Sequence, residues 1–272
     1  MERGDLRSPQ GILRGCIPPQ SKLNTVEAMD MARAYRCEEG PVTFQVGMLA
    51  SDGVLLASDM LTIEKVVNKP AALSQREKIV LRRDKGIAYC CAGDELASAV
   101  GKEIAERIDS SSYSDLAGFL SNSVEEIVAR DAPVGYSSWF GGSVLLVCGS
   151  GPLELWRLNF IKQSARPPEV YRIKGRFVTT GDECNYARLY LEQYFPGHRD
   201  RKPTVADLVP LAAHTVLVAA DLNPQEIQGL EIVLCTQSGF ERMPEARTEI
   251  LCDFSTNLIG EIKRRFGFPT RP

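Results

Sequence analysis

Thr43 stands in the stretch GPVTFQVGMLASDGVLLASD, residues 40–59, directly before an apolar run from Phe44 to Leu49. A second apolar run, Val54 to Ala57, follows a Ser51-Asp52-Gly53 turn. A threonine in that place is either a β-forming residue that opens a strand or a nucleophile. An unassisted hydroxyl is a poor nucleophile at neutral pH and needs a base beside it. If the chain is cut before Thr43, the residue supplies that base itself. Its freed α-amine, with a reference pKa of about 7.7–8.0, accepts a proton near neutrality. No separate histidine is then required. The two histidines of the chain, His198 and His214, fall in an expected turn and an expected amphipathic helix, and both read as structural.

Eight cysteines occur, and none forms a C-x-x-C pair, so a zinc ribbon or thioredoxin-type motif is not indicated. Most lie inside apolar stretches, where a free thiol behaves as a small hydrophobe. Reduced thiols point to a cytoplasmic protein. The 272 residues carry 32 Lys and Arg against 35 Asp and Glu, a net charge of −3. That balance argues against a nucleic-acid partner, which favours a basic face. The basic cluster Lys263-Arg264-Arg265 reads as a solvated helix face. No apolar run approaches the roughly 18 residues of a membrane span, so no membrane association is expected. The first 25 residues lack the apolar core of a signal peptide.

The elements that must position Thr43 follow from the hydrophobic pattern. Residues 1–42 read as a flexible leader or propeptide, polar and rich in Gly, Pro and Ser at first. A short helix over Val26–Glu39 follows within it, broken by Gly40-Pro41. Residues 43–272 read as one domain. Phe44–Leu49 and Val54–Ser58 are expected to form a hairpin. After a polar loop, Lys78–Leu81 and Gly86–Cys91 form a second. Ala92-Gly93-Asp94 then ends the sheet, with Asp94 as the N-cap of a helix marked by Leu96, Val100, Ile104 and Ile108. Tyr113–Arg130 reads as a second helix. Strands are expected at Gly142–Cys148, Leu153–Leu158, Val170–Ile173 and Phe177–Thr180. Helices are expected at Asn185–Tyr194 and Thr204–Ala220, the latter capped by Thr204 and interrupted by Pro210. A strand at Leu230–Thr236 and a helical tail from Thr248 to Phe266 complete the chain. Strands and paired helices in this order do not alternate as βαβ units. They imply a layered α+β domain built from antiparallel hairpins.

The stretch around Thr43 resembles the start of proteasome-type subunits, in which a threonine opens a strand and an apolar second strand ends in Asp, here Asp59. Three further segments resemble the same family in the same order. EKIVLRRDKGIAYCCAGDELAS resembles its second hairpin, with its lysine at Lys78 and its Ala-Gly turn at Ala92-Gly93. FGGSVLLVCGSGPLELWRL resembles the strand pair after the central helices. FVTTGDECNYARLYLEQYFP resembles the Gly-turn-helix segment that comes next. The likeness spans about residues 42–240 and suggests a bacterial proteasome-like β subunit of the N-terminal-nucleophile hydrolases.

That resemblance implies a four-layer αββα sandwich in which the two hairpins pair and Lys78 lies across the sheet from Thr43. It implies catalytic roles for Thr43 as nucleophile, for Lys78 as the cation that lowers its pKa, and for Asp59 as the anion that holds Lys78. The Gly93 N–H becomes an oxyanion donor, and Asp182 takes the place of a serine that contacts the terminal amine. It implies peptide or unfolded-protein substrates and a ring of identical subunits, with no cofactor, and leaves open whether there is an ATPase partner. Two other functions fit the same resemblance: a non-catalytic α-type ring subunit that keeps its leader, and a hydrolase of small amides. The chain departs from the catalytic pattern at Pro41-Val42, where a Gly commonly precedes the nucleophile, and at Leu61, where a basic residue is common.

Overall fold

The computed structural model describes residues 43–64, 72–93, 95–109, 112–131, 141–149, 151–161, 167–181, 185–195 and 202–266. The chain divides into two units, Met1–Glu39 and Gly40–Pro272, and every described residue belongs to the second. The expected leader helix, Asp94, Asp182 and His198 lie outside the described residues.

Two five-stranded sheets form the centre. The first contains β1 (Phe44–Leu49), β2 (Gly53–Ser58), β10 (Phe177–Gly181), β11 (Glu231–Thr236) and β12 (Gly239–Arg242), in the order β10-β1-β2-β11-β12. The second contains β5 (Ile79–Arg82), β6 (Ile87–Ala92), β7 (Gly141–Cys148), β8 (Glu154–Ile161) and β9 (Glu169–Arg172), in chain order. Every pairing within them is antiparallel. A separate ribbon joins β3 (Leu61–Glu64) to β4 (Ala72–Gln75). The described helices are α1 (Glu95–Arg107), α2 (Leu116–Asp131), α3 (Asn185–Tyr194), α4 (Val205–Leu222) and α5 (Glu245–Phe266).

Successive side chains of a strand point to opposite faces, and the central strands bury both. On β2, Leu55 and Ala57 pack toward α3 and α4, while Val54 and Leu56 pack toward the second sheet. On β7, Val144 and Leu146 pack under α1 and α2, while Leu145 and Val147 face the first sheet. Burial on both sides explains why these strands read as continuous apolar runs rather than as alternating ones. The result is three hydrophobic layers, one between the sheets and one under each helical cover, which is the expected αββα sandwich.

Four expectations are corrected. The hairpins β1–β2 and β5–β6 do not pair; they belong to different sheets that face each other. The polar stretch after Asp59 contains the β3–β4 ribbon, and β12 follows β11 where no strand was expected. Strand β8 runs on to Ile161 because Phe160 packs under the helical cover, and α5 begins at Glu245. The last correction concerns hydropathy. Helix α4 has 18 residues with a mean hydropathy of 1.6, the length and composition of a membrane span. Leu208, Ala212, Val216 and Ala219 of this helix are instead buried on the first sheet, which makes it a core helix. It runs through Pro210 and starts in a capping box between Thr204 and Asp207.

His214 on α4 is buried and pins three helices. Its Nδ1 is hydrogen-bonded to the Ser255 hydroxyl of α5, and the edge of its ring meets Tyr190 of α3 at a centroid distance of 5.0 Å. Burial lowers its pKa below the usual 6.5. A lowered folded-state pKa gives stability that is fully present above the unfolded value and is lost as the pH falls through the folded one. The wild type is therefore expected to lose its advantage in melting temperature over His214→Phe as the pH drops below about 6.5. Parallel melting curves of the two proteins across that range check this.

Candidate active site

Thr43 precedes β1 and is 6% exposed. Two neighbours fix its backbone. Antiparallel pairing places Phe44 opposite Gly181 of β10, and a Cβ at Gly181 would lie 1.7 Å from the Thr43 carbonyl oxygen. With φ at +92°, residue 181 must be glycine on both counts. On the other side the Phe44 N–H donates to Asp59 Oδ1 at 2.9 Å, and the Asp59 N–H donates to the Phe44 carbonyl at 3.1 Å.

Asp59 ends the run of β2 and is fully buried. Its second oxygen, Oδ2, accepts from the Leu61 N–H at 3.1 Å and from Lys78 Nζ at 2.8 Å. Lys78 stands one residue before β5, so it reaches this pair from the facing sheet. Its Nζ also donates to Thr43 Oγ1 at 3.0 Å. An ammonium thus bridges a buried carboxylate and the threonine hydroxyl across the gap between the sheets. Burial pushes Asp59 up and pulls Lys78 down from their ordinary values; their mutual attraction opposes both shifts, and the backbone donors Phe44 and Leu61 oppose that of Asp59. A partly desolvated cation that touches a hydroxyl favours its alkoxide.

The structure therefore brings Thr43, Asp59 and Lys78 into direct contact. Gly93 follows the end of β6 with φ at +128°, a conformation that a side chain would strain. Cys91, two residues earlier, is tied to β1: Gln45 Nε2 donates to the Cys91 carbonyl at 2.8 Å. Gln45 Oε1 in turn accepts from Thr180 Oγ1 at 3.0 Å. Asp182 lies outside the described residues. Among the described residues no group of three or more His, Cys, Asp or Glu side chains is arranged to hold a metal ion.

Gly181, Gln45 and Glu231 were not singled out from the sequence. A signal for two of them existed. Gln45 and Glu231 are polar residues set into otherwise apolar strands, and both are buried. A buried polar side chain requires a specific partner.

No family profile matches the chain, and no curated protein does. Among solved structures, Anbu (ancestral beta-subunit) from Yersinia bercovieri is 15% identical, with a TM-score of 0.58, over 84% of this chain and 99% of that one. The structure of the helical assembly of the Anbu complex from Pseudomonas aeruginosa is 18% identical, with a TM-score of 0.58, over 84% and 98%. An Anbu (Gly-1) mutant from Hyphomicrobium sp. strain MC1 is 15% identical, with a TM-score of 0.57, over 85% and 99%. Likeness at these identities establishes a proteasome-like N-terminal-nucleophile fold. It corrects the assignment of the chain as a bacterial proteasome-like β subunit: the neighbours reported are Anbu proteins, and family membership rests on no matching profile. The physical reason is that the four similar segments consist largely of strand cores and turn glycines, which the sandwich itself demands.

The ion pair makes a quantitative expectation. Asp59→Ala leaves the Lys78 ammonium without its anion and two buried N–H groups without an acceptor. Removing one partner of a buried pair costs about 3–5 kcal/mol. Urea unfolding should show that loss for Asp59→Ala and a smaller loss for Asp59→Ala combined with Lys78→Met, because the stranded charge is then gone. Equal losses in both variants contradict the pairing.

Proposed function

We propose that the chain is a threonine-type amide hydrolase acting on peptide bonds, with Thr43 as its N-terminal nucleophile once residues 1–42 are removed. The observation that carries this reading is the hydrogen-bonded line from Asp59 through Lys78 to the Thr43 hydroxyl, at 2.8 and 3.0 Å. An ordinary strand-opening threonine has no need of a buried cation on its Oγ1. A structural ion pair has no need of the threonine.

In the proposed reaction the Thr43 α-amine takes the hydroxyl proton as Oγ1 attacks the substrate carbonyl carbon. A C–O bond forms and the carbonyl oxygen becomes an oxyanion, which the Gly93 N–H receives. Collapse breaks the C–N bond, and the α-ammonium returns its proton to the departing amine. Water then hydrolyses the ester on Thr43. Lys78 keeps its proton throughout and lowers the energy of the developing alkoxide. Asp59 holds Lys78 charged and aimed. Asp182 is proposed as a contact for the terminal amine. The assembly of the Pseudomonas Anbu complex supports self-association of this chain as a further part of the proposal.

Intact-mass measurement of protein from its native host tests the first requirement, a species that begins at Thr43. Turnover of peptide substrates tests the second. Thr43→Ala should abolish turnover, and Lys78→Met should reduce it about 10²–10³-fold, the scale of losing one preorganised electrostatic donor. The rate of the processed enzyme should rise with pH through roughly 7.7–8.0, as the α-amine becomes free. It should fall again below the ordinary lysine range of about 10.4, because burial makes Lys78 lose its proton early. Only full-length protein, with equal turnover in wild type and Thr43→Ala, overturns the reading.

A further inference from the structure

Lys78 donates through its side chain, but its own main chain must also be held. It lies in the short connection between the β3–β4 ribbon and β5. Glu231, the first residue of β11, is buried and supplies the hold. Its Oε2 accepts from the Lys78 N–H at 2.7 Å and from the Ile79 N–H at 3.0 Å. Its Oε1 accepts from Arg242 Nε of β12 at 2.8 Å. The same guanidinium donates through Nη2 to the Ile79 carbonyl at 2.5 Å and through Nη1 to Glu77 Oε2 at 2.8 Å. The main chain from Lys78 to Ile79 is thereby bound at both N–H groups and at the Ile79 carbonyl by one ion pair from the opposite sheet.

The register of β11 gives this contact a direction. Glu231 pairs with Ser58 of β2, the residue before Asp59. One strand position thus fixes both ends of the ion pair: the ladder sets Asp59, and the Glu231 carboxylate sets the backbone of Lys78. We propose that Glu231, locked by Arg242, is a positioning residue that holds Lys78 Nζ between Asp59 and Thr43. The inference rests on the proposed role of Thr43 and Lys78.

A carboxylate that merely filled space would not need its two oxygens divided between paired N–H groups and a guanidinium. The Glu231 carboxylate also favours the charged form of Lys78, after Asp59, while the two main-chain N–H groups and Arg242 oppose the upward shift that burial imposes on Glu231 itself. Replacing it with glutamine keeps the shape and turns one acceptor into a donor. That donor faces the Arg242 N–H groups or the two main-chain N–H groups, so one side of the contact is lost.

The test uses the full chain, labelled with ¹³C-lysine, in wild type and Glu231→Gln. The Lys78 resonance is assigned by its loss in Lys78→Met. Lys78 should titrate at lower pH in Glu231→Gln, and the Lys78 and Ile79 amides should exchange with solvent at least about ten-fold faster, since a charge-assisted acceptor is lost. With peptide substrate and protein processed to begin at Thr43, kcat should fall about 10²-fold while KM changes little, as a misplaced catalytic group dictates. Glu154→Gln, a carboxylate of β8 that serves Trp156 and Arg172, should leave the Lys78 titration unchanged. Arg242→Met opens the contact from its half-exposed side and should speed Ile79 exchange and lower kcat in the same sense, which keeps the test alive if Glu231→Gln does not fold. Unchanged Lys78 titration and unchanged amide exchange in both variants overturn the inference. A wild type that cleaves no peptide overturns the proposed function instead, and the titration still decides the role of Glu231.

Discussion

One buried ion pair ties the two sheets of this molecule to each other. Asp59 and Lys78 come from opposite sheets, and each would be costly in the interior without the other. The carboxylate is satisfied by two main-chain N–H groups as well as by the ammonium. The ammonium is satisfied by the carboxylate and the Thr43 hydroxyl. The pair therefore cannot form unless β1, β2 and the entry to β5 are all in register. It couples the pleating of one sheet to the position of the other at the end of the sandwich where Thr43 lies. Elsewhere the sheets meet through side chains such as Leu56, Leu145 and Leu155, which attract without direction. The hydrogen bonds of Gln45, Asp59, Lys78 and Glu231 supply the direction.

Most of the fold was legible in the sequence because its elements carry strong local signals. The apolar stripe through Leu96, Val100 and Ile104 marked α1, and Thr204 as a capping residue marked the start of α4. The central strands declared themselves as unbroken apolar runs. What was not legible is how the hairpins are arranged. Nothing local says whether Lys78 follows Thr43 across one sheet or faces it from another, because both arrangements bury the same residues. The β3–β4 ribbon and β12 were missed for a related reason. Each is four residues long and lacks the apolar content that identifies a strand without its partners. Thr43, Asp59 and Lys78 were named through resemblance. Glu231 and Gln45 could have been suspected as polar breaks in buried strands, but their partners lie 152 and 46 residues away in sequence.

The distinction between fold and chemistry explains how the comparisons with solved structures bear on this chain. At 15–18% identity the Anbu proteins share the layered sandwich. A sandwich tolerates wide exchange of its apolar residues provided volume and pattern are kept. The site does not. Its geometry rests on a hydroxyl, an ammonium and a carboxylate joined by hydrogen bonds of 3.0 and 2.8 Å, and on a glycine at which a Cβ has no room. The fold can therefore be recognised where the chemistry has to be argued residue by residue.

In the proposed reaction, the use of a lysine rather than a histidine beside Thr43 follows from the same geometry. A histidine partner acts by accepting the hydroxyl proton, so it must be neutral before the reaction and oriented by a further group. In the proposed reaction a lysine held charged by Asp59 brings its own proton, and Nζ lies within hydrogen-bond distance of Oγ1. It can only stabilise the alkoxide, which leaves the proton without a destination unless the nucleophile's own residue supplies one. An α-amine on residue 43 does so, and it exists only when the chain begins there. In the proposed mechanism the ammonium at Lys78 and a free amine at Thr43 are complementary halves of one device: the first makes the oxygen acidic, and the second takes what that acidity releases.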